Sequence, residues 1–211
     1  PIYDAYANDL DYTAPIDKLF NQIKLTNDAV GSAHYFSGYR GSGKTTELKR
    51  LKKKLEEEGF IVLYANALDY INPGAPIDIS DLLITLAGAF SDQIEQITKQ
   101  DPLKESYWQR LVRYVTETKV LIKEVGFEGQ GASIKAELKE SPSFRSKVQA
   151  ALANHISQIN QEVRKFFQDG VQKVKQLNNQ KPVVFIFDSL EQLRGTRSNE
   201  IQVQQSVESI F

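Results

Sequence analysis

The residues of this chain with the clearest chemistry form a glycine-rich stretch, GYRGSGKTT, at positions 38 to 46. The stretch matches the spacing G-x-x-x-x-G-K-[ST] in full, through Gly38, Gly43, Lys44 and Thr45. Its glycines permit a backbone whose successive N–H groups point inward at phosphate oxygens, and a helix beginning near Lys44 adds the positive end of its dipole. The stretch therefore predicts a site for the phosphates of a nucleotide.

The polar groups of the stretch have separate predicted roles. Lys44 places a mobile cation on the β- and γ-phosphates, and Thr45 offers a hydroxyl to Mg²⁺. Thr46 meets the α-phosphate, while Arg40 either adds charge to the site or lies on the outer surface of the loop. The predicted nucleotide-binding residues are Gly38, Tyr39, Arg40, Gly41, Ser42, Gly43, Lys44, Thr45 and Thr46.

A second chemical group stands far downstream, where the apolar run 182–187 ends at Asp188. A buried strand that ends in an acidic residue delivers a carboxylate to the edge of a parallel sheet where ligands bind. Asp188 is therefore the predicted Mg²⁺ ligand. The alternative is an aspartate that caps the turn after the strand.

Helices and strands that would position these residues follow from the hydrophobic pattern. Apolar runs predict strands at 33–37, 61–65 and 182–187, and helical spacing predicts helices at 44–58 and from Asp78 to about residue 97. Alternation of strands and helices indicates an α/β fold with a parallel sheet covered on both faces.

The segment from about 101 to 178 is interpreted as an insertion into a core of about residues 30–100 and 180–211. It contains a predicted helix at 107–123, a hairpin at 125–138 and a long helical stretch at 142–178 that Gly170 would divide. As one helix, that stretch would measure about 50 Å and act as a lever or docking surface. Packing across the sheet is the alternative.

Together, GYRGSGKTT and VVFIFDSLEQL resemble the Walker A and Walker B motifs of the AAA+/STAND group of P-loop ATPases. This group includes origin-recognition initiators, archaeal-type ATPases and NACHT-type signalling proteins. The resemblance covers two short motifs and the strand order, about a third of the chain. It implies a P-loop NTPase domain over 1–211, with three α/β/α layers, that binds and hydrolyses ATP with Mg²⁺.

Two departures from the group's pattern bear on activity. Most AAA+ members have a catalytic glutamate directly after the Walker B aspartate, whereas this chain has Ser189. NACHT-type members have a small residue there and an acid further on, so the resemblance implies Glu191 as the carboxylate that orients the attacking water; a solvent-facing Glu191 is the alternative. The 23 residues after Asp188 are too few for the group's next strand and lid, so we expect the domain to be incomplete at its C-terminus.

Composition limits the partners. Lys and Arg total 26 against 27 Asp and Glu, which gives no general attraction to nucleic acid or to an anionic membrane. There is no cysteine, and two histidines argue against a histidine-built metal site. Without a signal-peptide pattern or a long apolar run, we expect a cytoplasmic protein with no membrane partner.

The expected function is a Mg²⁺-dependent ATPase domain that acts as a nucleotide-driven switch in a larger protein. ATP is favoured over GTP because no N-K-x-D tetrapeptide occurs, and the resemblance implies self-association or contact with other protein domains. Three alternatives stay open: a module that holds nucleotide without turnover, a DNA-associated initiator-type ATPase, although no feature supports a nucleic-acid partner, and a small-molecule kinase.

Overall fold

The computed structural model describes residues 15–26, 31–39, 41–73, 77–98, 139–153 and 155–192. Strands β1 (Ile61–Asn66) and β2 (Val183–Asp188) form a parallel two-stranded sheet. Its register pairs Ile61 with Val183 at one end and Asn66 with Asp188 at the other. This part of the chain is therefore a mixed helix-and-strand fold whose sheet joins two distant segments.

Five α-helices surround the sheet in the described ranges. They are α1 (Pro15–Leu25), α2 (Lys44–Glu57), α3 (Ile79–Thr98), α4 (Pro142–Leu152) and α5 (Ile156–Leu177). Two short 3-10 helices follow the strands, at Ala67–Asp69 and Leu190–Gln192. In the part of the chain that the structure covers, no helix has the length and apolarity needed to cross a membrane.

One face of the sheet packs against α1 and α2. Tyr64 and Ile186, on neighbouring strands, join a hydrophobic cluster with Ile16 of α1 and Leu51 and Leu55 of α2. Because side chains alternate between the faces of a strand, Asp188 lies on the same face as Ile186. The end of β2 therefore presents its carboxylate to the side of the sheet that α2 covers.

The opposite face packs against α3, α4 and α5. Leu63 and Phe185 of the sheet belong to or contact the largest cluster of buried side chains. The Phe90 ring of α3 stacks on Phe167 of α5, with their centroids 4.1 Å apart, and meets the Phe185 ring edge-on at 5.4 Å. Both faces of the strands are thus covered, which explains why their sequences are apolar almost throughout.

The helical stretch predicted at 142–178 is confirmed over Pro142–Leu152 and Ile156–Leu177, but it divides at 153–155 and not at Gly170. The His155 N–H donates to the Leu152 carbonyl at 2.8 Å, a three-residue turn that ends α4 and lets both helices pack on α3. Gly170 does not interrupt α5. A Cβ at this position would lie 2.5 Å from Ile94 Cδ1 and 2.6 Å from Phe90 Cε1 of α3, so glycine permits the close approach of the two helices.

The predicted strand at 33–37 is also wrong, since residues 31–39 have no regular secondary structure. A strand needs a neighbour for its backbone groups, and β1 and β2 pair only with each other among the described strands.

The other helices and strands predicted within the described ranges are confirmed, and side chains of Asp78 and Ser141 accept hydrogen bonds at two helix starts. The Ile79 N–H donates to Asp78 Oδ1 at 2.7 Å, and the Phe144 N–H donates to Ser141 Oγ at 3.2 Å. The predicted helix at 107–123 and hairpin at 125–138 lie outside the described residues.

Candidate phosphate-binding site

The glycine loop adopts the conformation for which its glycines are needed. Gly41 and Gly43 have φ values of 83° and 85°, in the left-handed region that side chains disfavour. Between them, the Ser42 N–H donates to the Tyr39 carbonyl at 3.1 Å and closes a turn. Helix α2 begins directly after Gly43. The loop therefore turns sharply into the N-terminus of a helix, as the sequence predicted.

Gly38 begins the loop at a point of close approach. A Cβ at this position would lie 3.0 Å from Ser42 Oγ and 3.7 Å from the Lys44 side chain. The next residue, Tyr39, is 91% exposed. The loop is thus compact on the side of Lys44 and open to solvent at Tyr39.

Lys44 extends back across the loop. Its Nζ donates to the carbonyl oxygens of Gly38 and Tyr39, each at 2.9 Å, and the residue is only 8% exposed. A lysine ammonium has three donors and rotates freely about its stem. In this position its ammonium group is held against the loop by two of the loop's own carbonyl oxygens.

The first turn of α2 follows directly from the glycine loop. Gly43 occupies the N-cap position and supplies no side-chain cap. Thr45 is half-buried and Thr46 exposed, and both lie in the first turn, where helical N–H groups point outward. Their predicted contacts with Mg²⁺ and phosphate remain predictions.

Asp188 is 2% exposed and is hydrogen-bonded through both oxygens. Its Oδ2 accepts from the Tyr64 hydroxyl at 2.6 Å, and its Oδ1 accepts from the Ser189 N–H at 2.6 Å. Burial first, and then the hydrogen bond to Asp188, raise the pKa of Tyr64 above its usual value. The phenol therefore stays protonated and donates to the carboxylate at neutral pH.

Ser189 has an unusual backbone for the residue after the aspartate. Its φ is 69°, and it is 4% exposed. A serine rarely adopts this left-handed conformation, which turns the chain from β2 into the 3-10 helix at Leu190–Gln192. Such strain often accumulates at functional sites.

Lys44, Asp188 and Ser189 open onto one cavity of about 1040 Å³. Its walls include the irregular segment 31–37 and strand residues 183–187, so it occupies the space beside β2. Cavities of this order accommodate small-molecule ligands. The structure thus brings Lys44 and Asp188 to the same cavity, whereas Thr45 does not line it.

Two predicted site residues cannot be placed. Arg40 lies outside the described residues. Glu191 belongs to the 3-10 helix by its backbone, but its side chain lies outside the description. Its role toward the attacking water therefore stays a prediction.

Tyr64 is the site residue that sequence reasoning missed. Its position on an apolar strand marked it only as a core residue. The alternation of side chains along β1 places Tyr64 on the same face of the sheet as Asp188. That relation can be recognised only when the register of β1 against β2 is known.

The chemistry of the donors fits a metal held jointly with phosphate. Among the described residues, no group of three or more His, Cys, Asp or Glu side chains could hold a metal ion. Mg²⁺ usually binds through one or two carboxylates, water and substrate phosphates rather than an all-protein cage. Asp188 supplies one carboxylate of this kind, whereas Thr45 does not line the cavity that Asp188 lines.

No protein-family model, curated protein or solved structure matches the chain. The functional argument therefore rests on the residues and the geometry described above.

Proposed function

We propose that this chain is a Mg²⁺-dependent ATP-binding and ATP-hydrolysing domain with the three-layer P-loop NTPase fold of the AAA+/STAND group. The observation that carries the proposal is that Lys44 and Asp188, 144 positions apart in the sequence, line one cavity. A glycine loop in left-handed conformations supports it.

In the proposed mechanism, the loop N–H groups and the N-terminus of α2 bind the phosphates of ATP. Lys44 releases the Gly38 and Tyr39 carbonyls and donates to the β- and γ-phosphates. Asp188 and the Thr45 hydroxyl would hold Mg²⁺, which would supply positive charge to neutralise the phosphate oxygens. Glu191 orients the attacking water.

The biological role that we propose is that of a switch. ATP binding would favour association with other copies or other protein domains, and hydrolysis would reverse it. This part of the proposal rests on the resemblance of the two motifs.

A module that holds ATP without turnover is the second candidate. The observation in its favour is Ser189, a buried and backbone-strained residue at the position where most AAA+ members have their catalytic glutamate.

The test combines ATP binding with phosphate release, measured for the parent chain and for Lys44→Ala, Glu191→Gln and Lys49→Ala variants. Lys49 is an exposed lysine of the same helix and controls for the loss of one charge. Hydrogen bonds to charged groups contribute about 1.5–3 kcal/mol, so we expect Lys44→Ala to weaken ATP binding about 10- to 150-fold. Lys49→Ala should bind as the parent does.

The variants separate the two candidates. Turnover that disappears in Glu191→Gln while binding persists supports hydrolysis with Glu191 as the water-orienting group. Binding that depends on Lys44 without turnover in the parent supports the holding module. Equal ATP affinity in Lys44→Ala and the parent would contradict both.

A further inference from the structure

We propose that Tyr64 is a positioning residue that holds the Asp188 carboxylate in the orientation for Mg²⁺-nucleotide. This inference rests on the proposed function and assigns a role to a strand residue that the two sequence motifs do not include.

The sheet register makes this contact possible. Tyr64 pairs with Ile186, two residues before Asp188 on β2. Two residues of a parallel strand rise about 6.6 Å, a distance that a short side chain could not span. The tyrosine extends along the face of the sheet, and its hydroxyl reaches Asp188 Oδ2 at 2.6 Å.

The two donors fix the plane of the carboxylate and leave it able to bind more. Tyr64 holds Oδ2 and the Ser189 N–H holds Oδ1. An ionised carboxylate has about four lone-pair sites, so each oxygen keeps one for a cation or a metal-bound water. Because Asp188 is buried, these two donors take the place of solvent in orienting it.

The neutrality of both donors matters. A lysine or arginine in the position of Tyr64 would form an ion pair with Asp188 and offset its charge. A phenol and a backbone N–H orient the carboxylate while leaving its negative charge available to a divalent cation. Outer-shell hydrogen bonds of this kind typically change metal affinity or activity 10- to 100-fold when they are removed.

The chain offers a matched control in Tyr70. Its hydroxyl donates to Asp92 Oδ2 at 2.8 Å, and its pKa, like that of Tyr64, is raised by burial first and then by the carboxylate. The two carboxylate partners differ in place, because Asp188 lines the cavity of Lys44 and Asp92 does not. Tyr70→Phe thus removes the same kind of bond outside the site.

The experiment measures the affinity for a non-hydrolysable ATP analogue with excess Mg²⁺ and with a chelator, and takes their ratio as the gain due to Mg²⁺. We expect Tyr64→Phe to lower this gain 10- to 100-fold and to leave the affinity in chelator unchanged. Tyr70→Phe should keep the parent's gain. In an Asp188→Asn background, adding Tyr64→Phe should cause no further loss, because the phenol acts through Asp188.

Each other outcome is decisive. A parent-like gain in Tyr64→Phe would overturn the inference and leave the proposed function standing. Failure of Tyr64→Phe to fold where Tyr70→Phe folds would also overturn it, since the bond would then serve the fold. If the parent chain does not bind the analogue, the proposed function and this inference are both overturned. If the parent binds the analogue but gains no affinity from Mg²⁺, the Mg²⁺ dependence and this inference are overturned.

Discussion

At the scale of single residues, the turn after β2 combines a buried carboxylate with a strained neighbour. Ser189 has a positive φ, and its N–H donates to Asp188 Oδ1. A left-handed conformation costs a residue with a Cβ roughly 1–2 kcal/mol. The turn therefore carries backbone strain directly beside the aspartate.

Replacing Ser189 by glycine and by alanine separates the backbone strain from the loss of the hydroxyl. Both variants lack the hydroxyl, but only the alanine variant keeps a Cβ, which is the source of the strain. We expect the glycine variant to be more stable than the alanine variant by about 1 kcal/mol, measured by urea unfolding. At an ordinary position the order is reversed, since glycine costs about 0.4–1 kcal/mol through the unfolded state. An alanine variant as stable as the glycine variant would contradict a left-handed Ser189.

The sequence singled out two residues that the structure brings to one cavity, but not the geometry around them. The spacing of the glycine loop and the acid at a strand end identified Lys44 and Asp188, because each signal is contained in a few consecutive residues. The contact of Tyr64 with Asp188 joins residues 124 positions apart, and no local pattern determines which residues two strands pair. The backbone of Ser189 likewise depends on the path of the chain after β2.

At the scale of elements, the charged face of α2 shows where local rules hold and where they fail. Spacing predicts that Lys52, Lys53 and Lys54 each pair with a glutamate four residues on. Lys52–Glu56 and Lys53–Glu57 do so, at 3.6 and 3.8 Å. Lys54 and Glu58 instead pair with Asp17 and Lys24 of α1. A partner on a packed neighbouring helix displaces the local one.

The α3–α5 contact gives a prediction at this scale. Gly170→Ala gains about 1 kcal/mol of helix propensity. The added Cβ overlaps Ile94 and Phe90, and Phe90 is fully buried between other rings, so relief requires repacking at a typical cost of 1–3 kcal/mol. We expect a net loss of stability of up to about 2 kcal/mol in urea unfolding.

Coupling to Ile94 tests the cause of that loss. Ile94→Val removes the Cδ1 atom nearest the added Cβ and alone costs about 0.5–1.5 kcal/mol. The double variant should lose less than the sum of the single losses. Strict additivity would mean that Gly170 is not needed for this approach of the helices.

At the scale of the whole molecule, a half-buried and a buried phenol, Tyr64 and Tyr70, make stability decrease at alkaline pH. The pKa values of Tyr64 and Tyr70 are raised in the folded state, by burial first. Below pH 10 both phenols are protonated in the folded and the unfolded chain. Above pH 10 the unfolded chain loses these protons and the folded chain keeps them, so stability falls as pH rises.

Each phenol contributes up to about 1.4 kcal/mol of lost stability per pH unit in this range. A Tyr64→Phe/Tyr70→Phe double variant should therefore show a shallower decline between pH 10 and 11 than the parent, measured by urea unfolding. Parallel declines in the two proteins would show that these phenols ionise as readily in the folded state as in the unfolded one.

The sequence predicts those helices and strands whose hydrophobic pattern lies within the element itself. It does not predict features that depend on strand pairing or on the packing of one helix against another. Helices α2 and α3 and both strands follow from the hydrophobic periodicity of their own sequences. The segment 31–39 has the apolar pattern of a strand but no strand partner in the described part of the chain. The turn between α4 and α5 contains no proline or glycine that would mark it in the sequence. The two helices separate there because each packs on α3.

The parallel pairing of β1 with β2 also sets an order of events during synthesis. Paired residues of the two strands are 122 positions apart. At about 5–20 residues per second, a ribosome completes β1 about 6–24 s before β2. For that interval β1 lacks its neighbour, and one edge of its backbone is open to other extended chains. The hydrogen bond between Tyr64 and Asp188 therefore forms only after this interval.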